Sequence, residues 1–233
     1  MTWTRRIALA LVVVAVAAGC GDDGSDDESG LGDLIDVTTT EQETTSTEAA
    51  ETTTTSEAAP ADDVPDGWRL VEGEQLSLAL PPEWVDGEQI LSDPAFATYL
   101  EETFGDAAAA QAAIDQVELI AFEESTLASG FGNNVNALAT PLGGATLDQL
   151  EQSAVAQLQQ VSATVSGTER TSVGGFDALR IDYTIPAGGV DVVGLQYYVL
   201  GPDAAAIVTF TATPGTEDPE LYRQIAETLR FLD

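Results

Sequence analysis

The chain has 233 residues, and its 40 acidic residues against 7 basic ones give a formal net charge of −33 at pH 7. It contains no histidine and no lysine, and Cys20 is its single cysteine. These absences exclude histidine-activated nucleophiles, Schiff-base chemistry and the imidazole or multi-cysteine metal sites. The negative charge argues against binding to nucleic acid, which needs clustered cations. The composition therefore points to no metal and no other cofactor.

Residues 1–19 have the pattern of an export signal. Arg5 and Arg6 belong to a short positive segment, and residues 7–18 form an uninterrupted apolar run. A membrane-spanning helix needs about 18 or more apolar residues, so this run is typical of the shorter core of a signal peptide. The two arginines are compatible with general secretion and with twin-arginine export, and the sequence leaves that choice open.

Cys20 follows this segment directly, after Ala17, Ala18 and Gly19. The four residues resemble the lipobox of bacterial lipoproteins, except that the family usually has leucine in the place of Ala17. The resemblance implies cleavage before Cys20, lipidation of its sulfur and acylation of the new N-terminus. Because two or more acyl chains hold a protein stably on a bilayer, we expect anchoring at the extracytoplasmic face of the cell membrane. An ordinary signal followed by an incidental cysteine is the alternative.

Residues 20–62 are predicted to be a disordered tether. Residues 21–62 contain 13 acidic residues and no basic one, and 12 of the 19 residues from 38 to 56 are threonine or serine. Such a segment has too little apolar surface to offset the entropy lost on ordering. As a flexible coil it would span about 35 Å, and repulsion between its charges would extend it further. Its threonines are compatible with O-linked sugars.

Residues 63–233 are long enough for one domain with a sizeable core. They contain 27 acidic residues and five arginines, a net charge of −22, so the acidity extends to the folded part. Apolar patterning and turn residues predict strands over 68–71, 76–80, 117–122, 134–139, 163–173, 176–185, 190–200 and 205–213. In the sixth of these, Leu179, Ile181 and Tyr183 alternate with polar residues, which indicates one covered face. Gly174-Gly175 indicates a tight hairpin.

Helices are predicted over 92–104, 106–116, 147–161 and 218–231. Thr146 and Gln149 have the capping-box spacing at the start of the third helix. Its inner face would carry Leu147, Leu150, Ala154, Leu158 and Val161. The last helix has Pro219 in its first turn. It is amphipathic, with an apolar face formed by Leu221, Tyr222, Ile225, Leu229 and Leu232. Strands grouped in hairpins with few helical crossovers predict the α+β class, with a central antiparallel sheet packed by helices.

Several landmarks then follow one another in a recognisable order. A strand pair and a Pro-Pro-x-Trp sequence occupy residues 67–84, and residues 133–138 precede the capped helix. A glycine hairpin over 168–185, a strand with the sequence LQYYVL and a closing helix that ends in LRFLD come next. This order and spacing resembles the PsbP-like fold and, within it, is similar to LpqN-type lipoproteins of actinobacteria. The resemblance covers essentially the whole domain.

The resemblance implies an α/β/α sandwich in an exported protein that acts as a binding or assembly module without a catalytic centre. It transfers no functional residue, because the family has no catalytic motif to match. The lack of lysine and the strong acidity depart from a typical mycobacterial member.

Carboxylates offer two candidate sites for chemistry. Glu123 and Glu124 are adjacent, so in a regular strand they would point to opposite faces and could not flank one glycosidic bond. The acidic run 21–27 would concentrate divalent cations, but it lacks the spacing of a calcium loop. We therefore predict no catalytic residue and no specific metal site, and a solvated acidic surface is the simpler interpretation.

Two further groups are candidates for binding. Trp68, Trp84, Tyr197, Tyr198 and Phe210 would suit a ligand groove, although aromatic residues on strands more often belong to the core. Residues 130–134, Gly-Phe-Gly-Asn-Asn, would let a phenylalanine project towards a partner, with a plain turn as the alternative.

We predict a non-enzymatic, membrane-anchored protein of the cell envelope whose domain binds a protein partner or a lipophilic ligand. A carboxylate-dependent hydrolase of envelope polysaccharide is one alternative. The other is an acidic surface component that holds water and cations in high salt. The sequence identifies neither the partner nor the ligand.

Overall fold

The structure is a computed structural model that describes residues 64–87, 115–127, 132–187 and 190–232. Its strands are β1 (Arg69–Glu72), β2 (Leu76–Leu80), β3 (Trp84–Asp86), β4 (Leu119–Glu123), β5 (Asn134–Pro141), β6 (Thr164–Val173), β7 (Phe176–Ala187), β8 (Val190–Leu200), β9 (Ala204–Ala212) and β10 (Arg230–Phe231). Its helices are α1 (Glu124–Leu127), α2 (Leu147–Gln160) and α3 (Pro219–Glu227). The helices predicted over 92–104 and 106–116 lie outside the described residues, apart from Asp115 and Gln116, which form a turn.

Most of the described strands form one antiparallel sheet in the order β3-β4-β5-β9-β8-β7-β6. β9 lies near its centre and pairs with β5 on one side and with β8 on the other. A second antiparallel sheet contains β1, β2 and β10 in the order β1-β2-β10. The predicted α+β class with a central antiparallel sheet is therefore confirmed. No helix within the described ranges is long and apolar enough to span a membrane.

The large sheet separates two apolar layers. On one face, the α2 residues Leu150, Ala154 and Leu158 pack with buried side chains of β7, β8 and β9. On the other face, α3 and the small sheet pack with the opposite side chains of the same strands. The predicted alternation in β7 is confirmed, because Leu179, Ile181 and Tyr183 are buried while the polar residues between them are half-buried.

The predicted cap of α2 is confirmed. The backbone N–H of Gln149 donates to Thr146 Oγ1 at 3.3 Å, and the backbone N–H of Thr146 donates to Gln149 Oε1 at 2.9 Å. The predicted inner face is wrong at its last position, since the helix ends at Gln160 and Val161 is 48% exposed. Val161 is the C-cap residue, so its side chain no longer follows the helical stripe.

The predicted helix over 218–231 is wrong in its last turn. α3 begins as predicted, with the N–H of Leu221 donating to the Asp218 carboxylate at 3.0 Å, but it ends at Glu227. Thr228 Oγ1 accepts from the backbone N–H of Ala79 at 2.8 Å and donates to the carbonyl of Ile225. These bonds tie the helix end to β2 and turn the chain into β10. The apolar spacing continues beyond Glu227, so the pattern alone did not mark this boundary.

Two short elements were not predicted. β3 has three residues and α1 has four, and neither is long enough to show a periodic pattern. The predicted strand over 68–71 is one residue too early, and the strand predicted over 117–122 begins only at Leu119. The predicted hairpin at Gly174-Gly175 is confirmed, since their φ angles of 58° and 86° lie in the region that glycine adopts readily.

Gly194 in β8 leaves the room that Tyr183 of β7 needs. The two residues are opposite each other in the sheet, and a methyl group on Gly194 would overlap the tyrosine ring. Gly167 in β6 is also in a strand, but the nearest atom to a methyl group there would be 3.9 Å away, on Asp182. The two glycines therefore provide a matched pair of substitution sites.

We expect Gly194→Ala to lower the free energy of unfolding by about 3 kcal/mol, the upper range for overpacking a core. Gly167→Ala should leave it within about 0.5 kcal/mol, as for an ordinary surface substitution. Urea denaturation of both variants checks this. Equal effects of the two substitutions would contradict the packing of Tyr183 over Gly194.

Candidate functional site

A surface cleft of about 650 Å³ lies between the C-terminal half of α3 and the turn that joins β6 to β7. Its lining includes Gly174, Gly175, Arg223, Gln224, Glu227 and Arg230, and Pro65 and Thr228 complete it. Gly174 and Glu227 are 53 residues apart in the chain, and they meet because the N–H of Gly174 donates to Glu227 Oε2 at 3.1 Å. The hairpin and the helix end thus hold each other in place and form the two walls.

The close approach of these walls requires a small residue at the turn. A methyl group on Gly174 would lie 2.9 Å from the carbonyl oxygen of Leu229 and 3.8 Å from the guanidinium of Arg230. Its φ of 58° is also one that other residues rarely adopt. Gly174 therefore serves both the hairpin and the cleft.

Two arginines give the cleft its polarity. The Arg223 guanidinium donates to the Glu220 carboxylate at 2.8 Å and lies 3.8 Å from that of Glu227. The hydrogen bond with Glu220 raises the pKa of Arg223 and lowers the pKa of Glu220, so both groups are charged. Arg230 donates to the carbonyl oxygens of Leu229, at 2.9 Å, and Glu227, at 3.4 Å. A cation there complements the negative C-terminal end of α3.

The cleft is unusual within a domain of net charge −22. Arg223 and Arg230 are two of the five arginines in residues 63–233. A third, Arg180, extends from β7 on the same face of the sheet as α3, where it contacts Asp182 at 2.8 Å. Burial raises the pKa of Tyr197, whose hydroxyl also interacts with the charges of Arg180 and Arg223. The region around the cleft therefore carries both positive and negative charges, whereas the domain as a whole is strongly negative.

The apolar hollow between the two sheets is much smaller, with a volume of about 10 Å³. Its walls are apolar side chains of β1, β2, β4 and β5, including Val71, Leu78, Leu119 and Val135. A pocket for a drug-sized ligand has a volume of about 300–1,000 Å³. This hollow is therefore too small for a lipophilic ligand.

A row of polar side chains crosses the α2 face of the large sheet. Asn134 and Asn136 of β5 lie opposite Thr211 and Thr209 of β9, and Thr209 lies opposite Gln196 of β8. Gln196 Nε2 donates to Thr209 Oγ1 at 2.9 Å. Asn134 Oδ1, Asn136 Nδ2 and Thr211 Oγ1 have no hydrogen-bond partner among the described residues. All five side chains are buried, so a ligand has no access to them from the described surface.

Most of the aromatic residues predicted as a possible groove belong to the core. Trp84, Tyr197, Tyr198 and Phe210 are at most 2% exposed, and Trp68 is half-buried against the same core. Phe210 stacks on Tyr222 of α3, with ring centroids 4.7 Å apart. They form no groove, which confirms the simpler of the two interpretations.

Glu123 and Glu124 do not form a pair. Glu123 ends β4 and Glu124 begins α1, so the chain changes element between them. Glu123 Oε2 accepts from Asn133 Nδ2 at 2.9 Å, and Asn133 Oδ1 accepts from the N–H of Thr213 at 3.2 Å. Asn133 is 1% exposed and holds three chain segments together, so this part of the predicted exposed loop is structural. Phe131 lies outside the described residues.

Sequence reasoning missed the cleft residues because they come from two distant segments. The one signal available was the clustering of arginine. Two of the domain's five arginines lie within eight residues near the C-terminus. Within the described ranges no group of three or more acidic or cysteine side chains is placed to hold a metal ion. Cys20 lies outside those ranges, so its lipidation stays a prediction.

No protein-family model matches the sequence, and a comparison with curated proteins finds no relative. The structure is similar to several solved ones. A crystal structure from Bacteroides thetaiotaomicron is 12% identical with a TM-score of 0.44, and the match covers 72% of this chain and 48% of the other. This chain thus spans about half the length of that protein.

In two other comparisons the match covers almost the whole length of the solved structure. The solution structure of cyanobacterial PsbP (CyanoP) from Synechocystis sp. PCC 6803 is 11% identical with a TM-score of 0.48, and the match covers 71% of this chain and 93% of that one. The crystal structure of LpqN, a protein involved in cell envelope biogenesis of Mycobacterium tuberculosis, is 16% identical with a TM-score of 0.45, covering 71% and 91%. The predicted resemblance to PsbP and LpqN therefore recurs among solved structures. At these identities and TM-scores no residue role is transferred.

Four buried tyrosines should make the domain sensitive to alkali. Burial raises the pKa of Tyr183, Tyr197, Tyr198 and Tyr222 above the ordinary value of 10.0. Below pH 10 the folded and unfolded chains both hold these protons. Above it the unfolded chain releases protons that the folded chain keeps, so stability falls as the pH rises.

We expect Tyr222→Phe to reduce that loss by about 1.4 kcal/mol per pH unit above pH 10, the contribution of one proton. Stability at pH 7 should change by about 1 kcal/mol or less, because the substitution ends only the interaction of the Tyr222 hydroxyl with the backbone of Asp218. Denaturant titrations from pH 7 to 11 check both points. An unchanged alkaline slope would contradict the burial of this phenol.

Proposed function

We propose that the protein is anchored by a lipid at Cys20 on the extracytoplasmic face of the membrane and that its domain binds a protein partner at the cleft between α3 and the β6–β7 turn. One observation carries the choice of a protein partner. The cleft is open to solvent, has charged and amide side chains in its lining and a volume of about 650 Å³, whereas the apolar hollow between the sheets measures only about 10 Å³.

The lining of the cleft suits a protein segment better than a lipid. Small-molecule sites are mostly enclosed and apolar, with a few polar groups that fix orientation. Here Arg223, Gln224 and Glu227 present guanidinium, amide and carboxylate groups at the surface. Arginine is also enriched at protein interfaces, where its planar group forms several hydrogen bonds at once.

A binding role fits the chemistry of these side chains better than catalysis. Glu227 is the one carboxylate in the described lining, and it accepts a hydrogen bond from Gly174. Hydrolysis of a glycosidic bond uses two carboxyl groups on either side of the bond. Arg223 and Arg230 are already held by acidic side chains and backbone carbonyls, which fixes their orientation for a partner.

The anchor is tested by the partitioning of the full chain. We expect Cys20→Ala to move the protein from the membrane fraction to the soluble fraction when it is expressed in a lipoprotein-processing bacterium. Ala17→Leu is the matched control, because it brings the segment closer to the lipobox pattern and should leave the protein in the membrane. Cys20→Ala protein that stays with the membrane would contradict lipid anchoring.

The cleft is tested by photo-cross-linking in the native envelope. A photoreactive residue in place of Gln224 should give adducts with a protein, and the same residue in place of Glu124, exposed at the start of α1 near the far edge of the sheet, should give none. Adding Arg223→Gln should reduce the adducts by about tenfold, equivalent to about 1.4 kcal/mol of binding free energy.

Arg170→Gln is the matched control for that substitution, since Arg170 has a similar exposure but contacts α2 on the other face of the sheet. It should leave the adducts at position 224 unchanged. A lipid adduct at position 224, or adducts that do not depend on Arg223, would overturn the proposed site.

A further inference from the structure

β6 forms one edge of the large sheet and is unusually long for an edge strand. It spans ten residues, whereas β3, at the opposite edge, spans three. Exposed edges carry unpaired backbone N–H and C=O groups, and proteins commonly protect them by shortening the strand or adding proline, lysine or a bulge. β3 is protected by its shortness. β6 has neither proline nor lysine.

The one irregularity in β6 protects only its beginning. The pairing with β7 shifts between Val165 and Gly167, which is a β-bulge. From Gly167 to Val173 the seven residues then pair without interruption. A run of this length has a regular outer edge on which another strand can form its full set of hydrogen bonds.

This regular part is solvent-exposed and has side chains that favour strands. Residues 168–172 are all exposed, and two of these five are threonine. Threonine and other β-branched residues fit the half-buried surface of a sheet. The edge is therefore accessible and compatible with an additional neighbouring strand.

The charges beside this edge define what would pair with it. Asp148 and Glu151 of α2 contact Arg170 at 2.7 Å and 2.6 Å. Glu169 lies opposite Arg180, and Asp177 and Asp182 of β7 lie opposite Ser172 and Gly167. Five carboxylates and two guanidinium groups thus flank β6, in agreement with the net charge of the whole domain.

We propose that β6 binds an extended segment of a protein partner as an additional β-strand and that this segment carries basic side chains. Backbone hydrogen bonds to residues 167–173 provide the affinity, as in other cases of strand addition. The excess of carboxylates around β6 favours lysine or arginine on the incoming strand. Glu169 is on the strand that would be its direct neighbour, where opposite charges are favourable and like charges are not. This deepens the proposed function and rests on it in one respect, that the partner is a protein.

A second copy of the chain fits this edge poorly. Two domains that each carry a net charge of −22 repel each other. An antiparallel pairing that places Glu169 opposite its own copy would also bring two carboxylates together across the axis. The charge therefore favours a basic partner over self-association.

The test uses the full chain with Cys20→Ala and a defined probe, an eight-residue peptide of alternating threonine and lysine. Hydrogen exchange should slow by about tenfold or more at those alternate amides of residues 167–173 whose N–H groups point away from β7, when the peptide binds. The amides of β1, an edge of the small sheet, should not change. A peptide with proline at two central threonine positions should give no protection, because proline lacks the N–H that pairs with the edge. A peptide with glutamate in place of lysine should not bind.

Charge reversal near the edge provides a quantitative test. Glu169→Arg should raise the Kd of the lysine peptide by about tenfold, and Glu124→Arg, a reversal at the exposed start of α1 near the opposite edge of the sheet, should raise it by less than about threefold. Binding without protection of residues 167–173, equal protection by the proline peptide, or a dimer that protects this edge without peptide would each overturn the proposal.

This outcome is independent of the cleft. Arg223→Gln, which should reduce cross-linking at position 224 by about tenfold, should leave the protection of residues 167–173 by the peptide unchanged. Loss of one effect with retention of the other therefore separates a failure of the cleft from a failure of the strand site.

Discussion

The pairing of β9 between β5 and β8 is the constraint on which the rest of the described structure depends. Eight of the nine residues of β9 are buried, and its side chains alternate between the α2 layer and the α3 layer. Val208 and Phe210 face α3, and Ile207 faces α2. Because both faces are covered, the strand is apolar nearly throughout, unlike the alternating pattern of a sheet with one wet face. α2, α3 and the small sheet are positioned by this strand and its two neighbours.

The sequence predicted those elements whose signals are local. The capping box of α2, the Gly174-Gly175 turn and the long strands β6 to β8 each depend on residues that are neighbours in the chain. The end of α3 was misjudged because the apolar spacing runs on to Leu229 and beyond. What stops the helix is a bond between Thr228 and Ala79, residues 149 positions apart, which no local pattern reveals.

The candidate site could not be predicted from the sequence for the same reason. Gly174 meets Glu227 across 53 residues, and only the assembled sheet brings the hairpin to the helix. The polar row in β5, β8 and β9 is a second example. Asn134 and Gln196 would be expected on a wet face, yet both are completely buried. Such residues follow the register of the sheet, which Ile207, Val208 and Phe210 determine, rather than their own polarity.

We propose that this protein acts through its surface rather than through a cavity in the described core. An acidic domain, a long tether and a lipid anchor would together present the α3 cleft and the β6 edge at a distance from the membrane. Because the hollow between the two sheets measures only about 10 Å³, we propose recognition through surface charge and backbone pairing rather than through a lipid pocket. The small size of this hollow distinguishes the proposed protein-binding role from that of a lipid carrier.

Native mass spectrometry can decide whether the domain binds a protein or carries a lipid. The sample is the Cys20→Ala protein, recovered from a bacterial envelope without detergent. We expect the spectrum to contain the bare chain together with a complex that contains a second protein. A chain that retains a lipid-sized mass, with no protein complex, would contradict it.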